Sequence, residues 1–169
     1  MFFVVASIGP VNLQARPYFM KESSYSYKRQ GFERFVFSST GKSNIIKLVE
    51  FSTTRTPDLY NLGFGDLLPN GNVDDRVNSN NGDIMKVLVT IVQIVRDFTV
   101  QHPNAKVAFA GSSTERTRLY TRILKMYYKD FCKEFKITAL IRVGRSNKEV
   151  DFNPLLNLPY LTFFVKRIN

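Results

Sequence analysis

Apolar and polar residues alternate along the first half of this sequence in the manner of β-strands. The runs with this pattern are Arg34–Ser38, Ile45–Thr53, Leu59–Leu67 and Val73–Val77. Turn-forming residues separate them, notably Ser39-Thr40-Gly41-Lys42 and Pro69-Asn70-Gly71-Asn72. The pattern therefore predicts two β-hairpins with antiparallel strands.

After Asn81-Gly82-Asp83, the spacing of the apolar residues changes to that of an α-helix. These three residues favour a turn and a helix start. Apolar residues then recur at intervals of three and four, at Ile84, Leu88, Ile91, Val95 and Phe98. Further apolar residues between them leave little polar face, which is typical of a core helix laid across a sheet. We predict this helix from Ile84 to about Gln101, because Pro103 cannot continue it.

A short strand, Lys106–Ala110, then leads through Gly111-Ser112-Ser113-Thr114 to a second helix that we expect to reach Phe135. Ser112 and Glu115 have the spacing of a capping box. One face of this helix is apolar and is expected to pack on the sheet, while the opposite face is basic. The basic residues are Arg116, Arg118, Arg122, Lys125, Lys129 and Lys133.

The remaining sequence predicts strands at Ile137–Val143 and Tyr160–Lys166, with a brief pairing at Val150–Phe152. The order β-β-β-β-α-β-α-β-β predicts an α+β fold, a two-layer sandwich with both long helices on one face of a mixed, mostly antiparallel sheet. Residues 21–169 are expected to form one domain. Residues 1–20 are expected to lie outside the fold, because their apolar run is too short to span a membrane and has no basic segment before it.

The net charge of +10 favours a polyanionic partner, without distinguishing nucleic acid from a phosphorylated ligand or an acidic protein. Like charges one helical turn apart repel each other, so the basic helix face suggests an anion that offsets the cost. Small residues at the helix start could supply backbone amides to a phosphate. The predicted phosphate or anion site comprises Gly111, Ser112, Ser113, Thr114, Arg116, Arg118, Arg122 and Lys125.

Acidic and amide residues are concentrated between residues 66 and 83, including Asp66, Asp74, Asp75 and Asp83. They could hold a hard cation, but their spacing differs from that of a calcium-binding loop. We interpret them as turn and helix-cap residues, and predict no metal or cofactor.

Single cysteine and histidine residues, Cys132 and His102, give little support to a Cys-His or disulfide-based site. The composition favours a cytoplasmic protein with no membrane association.

Three stretches of the sequence together resemble a known family. They are YNLGFGDL at residues 60–67, DD-x-V-x-SNNGD-x-x-KVL at 74–88 and F-x-GSS-x-x-RTRLY at 109–120. In this combination the chain resembles a group of small uncharacterised bacterial proteins, a domain of unknown function, over roughly Tyr25–Arg167. The resemblance implies a bacterial, cytoplasmic α+β protein. It implies no activity, so no catalytic residue can be assigned from it.

Three classes of function follow as hypotheses. The first is a module that binds nucleic acid or a phosphorylated ligand through the basic helix and its Gly-Ser-Ser-Thr turn. The second is an enzyme for a phosphorylated substrate, which requires the acidic residues between 66 and 83 to meet Arg116 and Arg118 in space. The third is a protein-interaction component, of a defence or toxin-antitoxin type, that presents its basic face to an acidic partner.

Overall fold

A computed structural model describes residues 23–74 and 80–168 of the chain, which contain nine strands and three helices. The strands are β1 (Tyr27–Gln30), β2 (Arg34–Thr40), β3 (Asn44–Thr53), β4 (Leu59–Leu67), β5 (Val73–Asp74), β6 (Lys106–Phe109), β7 (Phe135–Val143), β8 (Ser146–Asp151) and β9 (Tyr160–Arg167). The helices are α1 (Ile84–Gln101), α2 (Thr114–Met126) and α3 (Tyr128–Glu134). The prediction for residues 1–20 lies outside the described residues and stays a prediction.

The strands form one open sheet in the order β1-β2-β3-β4-β6-β9-β7-β8, with β5 paired to the end of β4. Neighbouring strands run antiparallel except β4 and β6, which pair in parallel with Tyr60 opposite Val107. The predicted α+β class and the mostly antiparallel mixed sheet are therefore confirmed.

The helices cover one face of this sheet. The strand registers place Phe35, Val49, Val107 and Val165 on a common face, and all four belong to one buried core with residues of the helices. In the centre of that core the ring of Phe98 from α1 stacks on Phe51 from β3, with 3.8 Å between ring centroids. The opposite face carries polar contacts such as the ion pair between Lys106 and Glu149. This arrangement is the expected two-layer sandwich.

The structure corrects several details of the predictions. The second long helix is interrupted at Tyr127, whose backbone (φ −108°, ψ 13°) ends α2 before α3 begins. The residue that caps α2 is Ser113 and not Ser112, because the Ser113 side chain accepts the hydrogen bond from the Arg116 amide. Ile84, expected in the buried stripe of α1, is 46% exposed.

Two short polar strands lengthen the predicted order, and both pair at the borders of the sheet. β1 joins β2, and β8 joins β7 over Ser146–Asp151 where only Val150–Phe152 was expected. Half of the residues in each strand are charged, and charged side chains are common on strands that border a sheet. The fourth predicted strand, Val73–Val77, is described only over Val73–Asp74.

The parallel pairing of β4 with β6 determines where the helices begin. Parallel strands end at the same edge of a sheet, and α1 follows β4 and β5 while α2 follows β6. The first turns of α1 and α2 therefore lie near the same edge. Within the described residues, no helix has the length and apolar character needed to cross a membrane.

Candidate functional site

Two adjoining cavities lie between α1 and α2, above the sheet. One has a volume of about 240 Å³ and is mainly apolar, with walls that include Leu62, Val92 and Ile123. The other has a volume of about 370 Å³ and is lined by residues of both charges. Phe64, Arg116 and Tyr120 border both cavities. We call the first the apolar cavity, the second, after its charged side chains, the polar cavity, and the two together the interhelical cleft.

The polar cavity brings together the three stretches that were singled out separately in the sequence. β4 contributes Phe64, Gly65 and Asp66, and the segment before α1 contributes Asn80 to Asp83. The start of α2 contributes Glu115, Arg116, Leu119 and Tyr120. The polar cavity is thus built from segments that are distant in the sequence and adjacent in the fold.

A buried ion pair between Lys47 and Asp66 forms one wall of the polar cavity. The two side chains are only 8% and 14% exposed. They lie opposite each other on β3 and β4, on the same face as the core residues Val49 and Phe51. Removing two charges from water costs free energy that their attraction recovers only in part. The pair therefore places a cation and an anion at fixed positions on the wall of this cavity.

Asp83 lies at the start of α1 and is held by two hydroxyl groups. Its Oδ2 accepts hydrogen bonds from Tyr25 (2.6 Å) and Ser39 (2.5 Å). Burial alone would raise the pKa of Asp83, but these bonds outweigh it and hold the pKa below its ordinary value. Asp83 is therefore a fixed, ionised carboxylate on the wall of the polar cavity.

Asn81 joins the segment before α1 to the β2–β3 turn. It is 5% exposed, its amide donates to Ser39 Oγ (2.7 Å), and its Oδ1 accepts from the Ser43 amide (2.8 Å). Gly41 permits this close approach, because a Cβ at that position would lie 2.0 Å from the Asn81 carbonyl oxygen. The turn and the helix start therefore form one rigid corner of the cleft.

The start of α2 forms the facing side of the cleft. Gly111 allows the chain to pass against the first turn of the helix, since a Cβ there would lie 2.3 Å from the Thr117 nitrogen. Arg116 is half-buried, and its guanidinium donates to Ser112 Oγ at 3.0 Å. Hydrogen bonds from its own amide and from the Ser113 hydroxyl hold the pKa of Glu115 below its ordinary value.

The predicted anion-site residues divide into two groups. Gly111, Ser112 and Arg116 line the interhelical cleft, and Ser113 and Thr114 begin the adjoining helix. Arg118 and Arg122 are exposed and line neither cavity. Lys125 donates to Asn157 Oδ1 at 2.5 Å, in the loop before β9. Five of the eight residues therefore lie in or beside the cleft and three lie outside it, and the anion site itself stays a prediction.

The acidic residues between positions 66 and 83 do not all lie in the polar cavity. Asp66 and Asp83 share the polar cavity with Arg116, so they meet the spatial requirement of the enzyme hypothesis. Asp74 pairs opposite Asp66 in the sheet, and Asp75 lies outside the described residues. In the described ranges no group of three or more His, Cys, Asp and Glu side chains is placed to hold a metal ion.

Lys47, Tyr25, Ser39 and Tyr120 were not predicted as site residues. One signal was available for Lys47, because it occupies an inward-facing position of a strand otherwise filled by Val49 and Phe51. Tyr25 and Ser39 carry no comparable signal. Their role depends on contacts with Asp83, from which they are separated by 58 and 44 residues.

His102 and Cys132 lie outside the cleft. The His102 ring packs against Phe98, with 4.5 Å between ring centroids, and is half-buried in aromatic contacts. The Cys132 thiol donates to the Lys129 carbonyl oxygen at 3.5 Å.

Comparison with known proteins places the chain in a family without assigning an activity. Neither the curated proteins nor the solved structures include a match to this chain. Residues 21–168 match a family described as "Family of unknown function (DUF6934)". The match spans most of the sequence and includes β1 to β9 and all three helices. The chain therefore belongs to this family of unknown function.

Proposed function

We propose that this chain is a binding module for a small phosphorylated ligand, which it holds in the interhelical cleft. The observation that carries the proposal is the position of Arg116, which borders both cavities and is oriented by Ser112. A half-buried arginine at the meeting point of two cavities can reach a ligand group placed in either of them.

The chemistry around Arg116 supports a phosphate. A guanidinium presents a planar set of N–H donors that matches two phosphate oxygens at once. The dipole of α2 adds partial positive charge at this end of the helix. Glu115 opposes this charge, but its carboxylate is engaged by Ser113 and by its own amide. The chain as a whole carries a net charge of +10, which attracts anions.

The apolar cavity supports a ligand that is larger than phosphate alone. Small-molecule sites are concave and mostly apolar, with a few polar groups that fix orientation. The walls formed by Leu62, Val92 and Ile123 meet the first part of this description, and Ser112 and Arg116 meet the second. The cleft therefore suits a phosphorylated organic molecule.

The test is calorimetric titration of the full chain with inorganic phosphate and with phenyl phosphate. We expect Arg116→Gln to weaken both interactions at least tenfold, because it removes the charged donor. The matched control is Arg118→Gln/Arg122→Gln, which removes two charges from the same helix outside the cleft. In the control we expect less than a threefold change.

The opposite ranking would contradict the proposal. If the double variant lost phosphate binding and Arg116→Gln retained it, the anion would bind on the exposed side of α2. Equal small losses in both variants would assign the interaction to net charge alone. Unfolding temperatures of all three proteins verify that affinity is compared between folded chains.

Nucleic acid is a second candidate ligand, and a different observation favours it. Arg118 and Arg122 lie one helical turn apart and are both exposed. Binding of labelled RNA and DNA, followed by anisotropy at two salt concentrations, would weaken steeply with salt if these residues contact phosphates. Here Arg118→Gln/Arg122→Gln should lose affinity and Arg116→Gln should not. Unchanged binding in the double variant would exclude this surface. An acidic protein would compete for the same residues.

A further inference from the structure

The polar cavity contains both hydrogen-bond donors and acceptors at fixed positions. Lys47 and Arg116 can only donate, whereas Asp66, Asp83 and Glu115 accept in their ionised form. Asn81 can do both. A hydroxyl group also donates and accepts, so a wall of this composition suits a molecule that carries several hydroxyl groups. A purely anionic group would face three carboxylates.

One side of the same cavity is apolar. Phe64 and Tyr120 contribute rings, and Val87 and Leu119 contribute aliphatic side chains. A sugar ring has hydroxyl groups at its rim and C–H groups on its faces, so it matches a cavity with one polar and one aromatic side. The volume of about 370 Å³ lies within the range of roughly 300–1,000 Å³ that is usual for small-molecule sites.

The polar groups are held in place before any ligand arrives. Lys47 and Asp66 fix each other through their ion pair, and Asp83 is fixed by Tyr25 and Ser39. Asn81 is fixed by Ser39 and Ser43. A ligand therefore loses little free energy to the ordering of these side chains.

We infer that the polar cavity is a sugar subsite, so that the ligand of the interhelical cleft is a sugar phosphate. The sugar ring lies against Tyr120, with its hydroxyl groups on Asp66 and Asp83. The phosphate lies on Arg116, which borders the cavity. This inference rests on the proposed function, because it places the phosphate at the same arginine.

The experiment compares four probes on the full wild-type chain: inorganic phosphate, phenyl phosphate, ribose 5-phosphate and glucose 6-phosphate. Phenyl phosphate offers an apolar ring to the apolar cavity, and the sugar phosphates offer hydroxyl groups to the polar cavity. We expect at least one sugar phosphate to bind ten times more tightly than both other probes. Equal affinities, or a preference for phenyl phosphate, would overturn the sugar subsite.

Variants separate this inference from the proposed function. Asp66→Asn and Asp83→Asn should each reduce the sugar preference at least fivefold while the affinity for inorganic phosphate changes less than twofold. Asp130→Asn, in α3 and paired with Lys133, is the matched control and should change neither quantity. Arg116→Gln should lower the affinity of the chain for all four probes.

Different results would contradict the proposed function and the sugar subsite. Retention of phosphate affinity in Arg116→Gln would contradict the proposed function. A normal Arg116 dependence with no sugar preference would contradict only the subsite. Loss of affinity for all probes in Asp83→Asn, with an unchanged unfolding temperature, would also count against the subsite, because it would mean that Asp83 maintains the shape of the whole cleft and does not bind the sugar specifically. If a variant does not fold, the comparison of the four probes on the wild-type chain still decides the question.

Discussion

The two helices that border the cleft begin in different ways. At the start of α2, Ser113 caps the helix, and its side chain accepts a hydrogen bond from the Arg116 amide three residues later. At the start of α1, Asp83 occupies the capping position but makes no capping hydrogen bond with its side chain. Its carboxylate instead accepts from Tyr25 and Ser39, which belong to distant parts of the chain.

The difference separates a helix start that is specified locally from one that is specified by the tertiary structure. Aspartate is among the best capping residues, and a capping bond would stabilise α1. In the structure, the Asp83 carboxylate instead links α1 to β2 through Ser39 and to the residues before β1 through Tyr25. Asp83 therefore contributes to the shape of the cleft wall and not to the helix alone.

The largest effect should come from Asn81, which links the start of α1 to the β2–β3 turn. Asn81→Ala removes its bonds to Ser39 and Ser43 in a buried region, and we expect a loss of about 3 kcal/mol in the free energy of unfolding. Urea denaturation measures this quantity. Asn70→Ala is the control, because Asn70 accepts from the Asn72 amide in an exposed turn. Similar losses in both variants would contradict a special role for the buried corner.

Asp83 should follow with a smaller effect. Asp83→Ala removes the acceptor of two hydroxyl groups, and we expect a loss of about 2 kcal/mol, which is the usual value for hydrogen bonds to a charged group. Tyr25→Phe removes one of these bonds from the donor side. A double-mutant cycle between Asp83 and Tyr25 should give a coupling free energy clearly different from zero. Additive losses would mean that the bonds contribute little.

The lowered pKa of Asp83 provides an independent check through pH. A carboxyl group with a lower pKa in the folded state stabilises the fold fully above its ordinary pKa of about 4. This stabilisation is lost as the pH falls through the folded-state pKa. The difference in unfolding free energy between wild type and Asp83→Asn should therefore shrink as the pH falls below about 4. A difference that does not depend on pH would contradict the assignment.

The smallest effect should come from Ser113, because its bond lies within an exposed helix end. Ser113→Ala should cost about 1 kcal/mol, and Ser113→Asp should restore most of the loss since aspartate also caps helices. Thermal unfolding followed by circular dichroism is sufficient to rank the variants. A loss from Ser113→Ala that exceeds the loss from Asp83→Ala would reverse the comparison between the two helix starts.

The sequence was sufficient to predict the features that depend on local pattern. The alternation in Leu59–Leu67 and the apolar stripe of α1 correspond to observed elements with the same bounds. The sheet with helices on one face followed from the order of those elements. The family resemblance was confirmed by the match over residues 21–168.

Features that depend on distant contacts were not predicted. β1 consists of Tyr27-Lys28-Arg29-Gln30, which has no apolar alternation and forms a strand only because β2 is beside it. The break at Tyr127 has no proline or glycine to indicate it. The polar cavity was missed for the same reason, since its residues come from β3, β4 and the starts of two helices.

The bonds made by Tyr25 have a consequence for folding kinetics. Its backbone amide donates to Thr90 Oγ1 and its hydroxyl donates to Asp83, contacts that span 65 and 58 residues. Closing loops of this length costs chain entropy before the contacts form, whereas the hairpins between β1, β2 and β3 close short loops. We therefore expect the cleft to be completed late, after the hairpins. The rate at which ligand-binding competence appears during refolding would then report the last stage of folding.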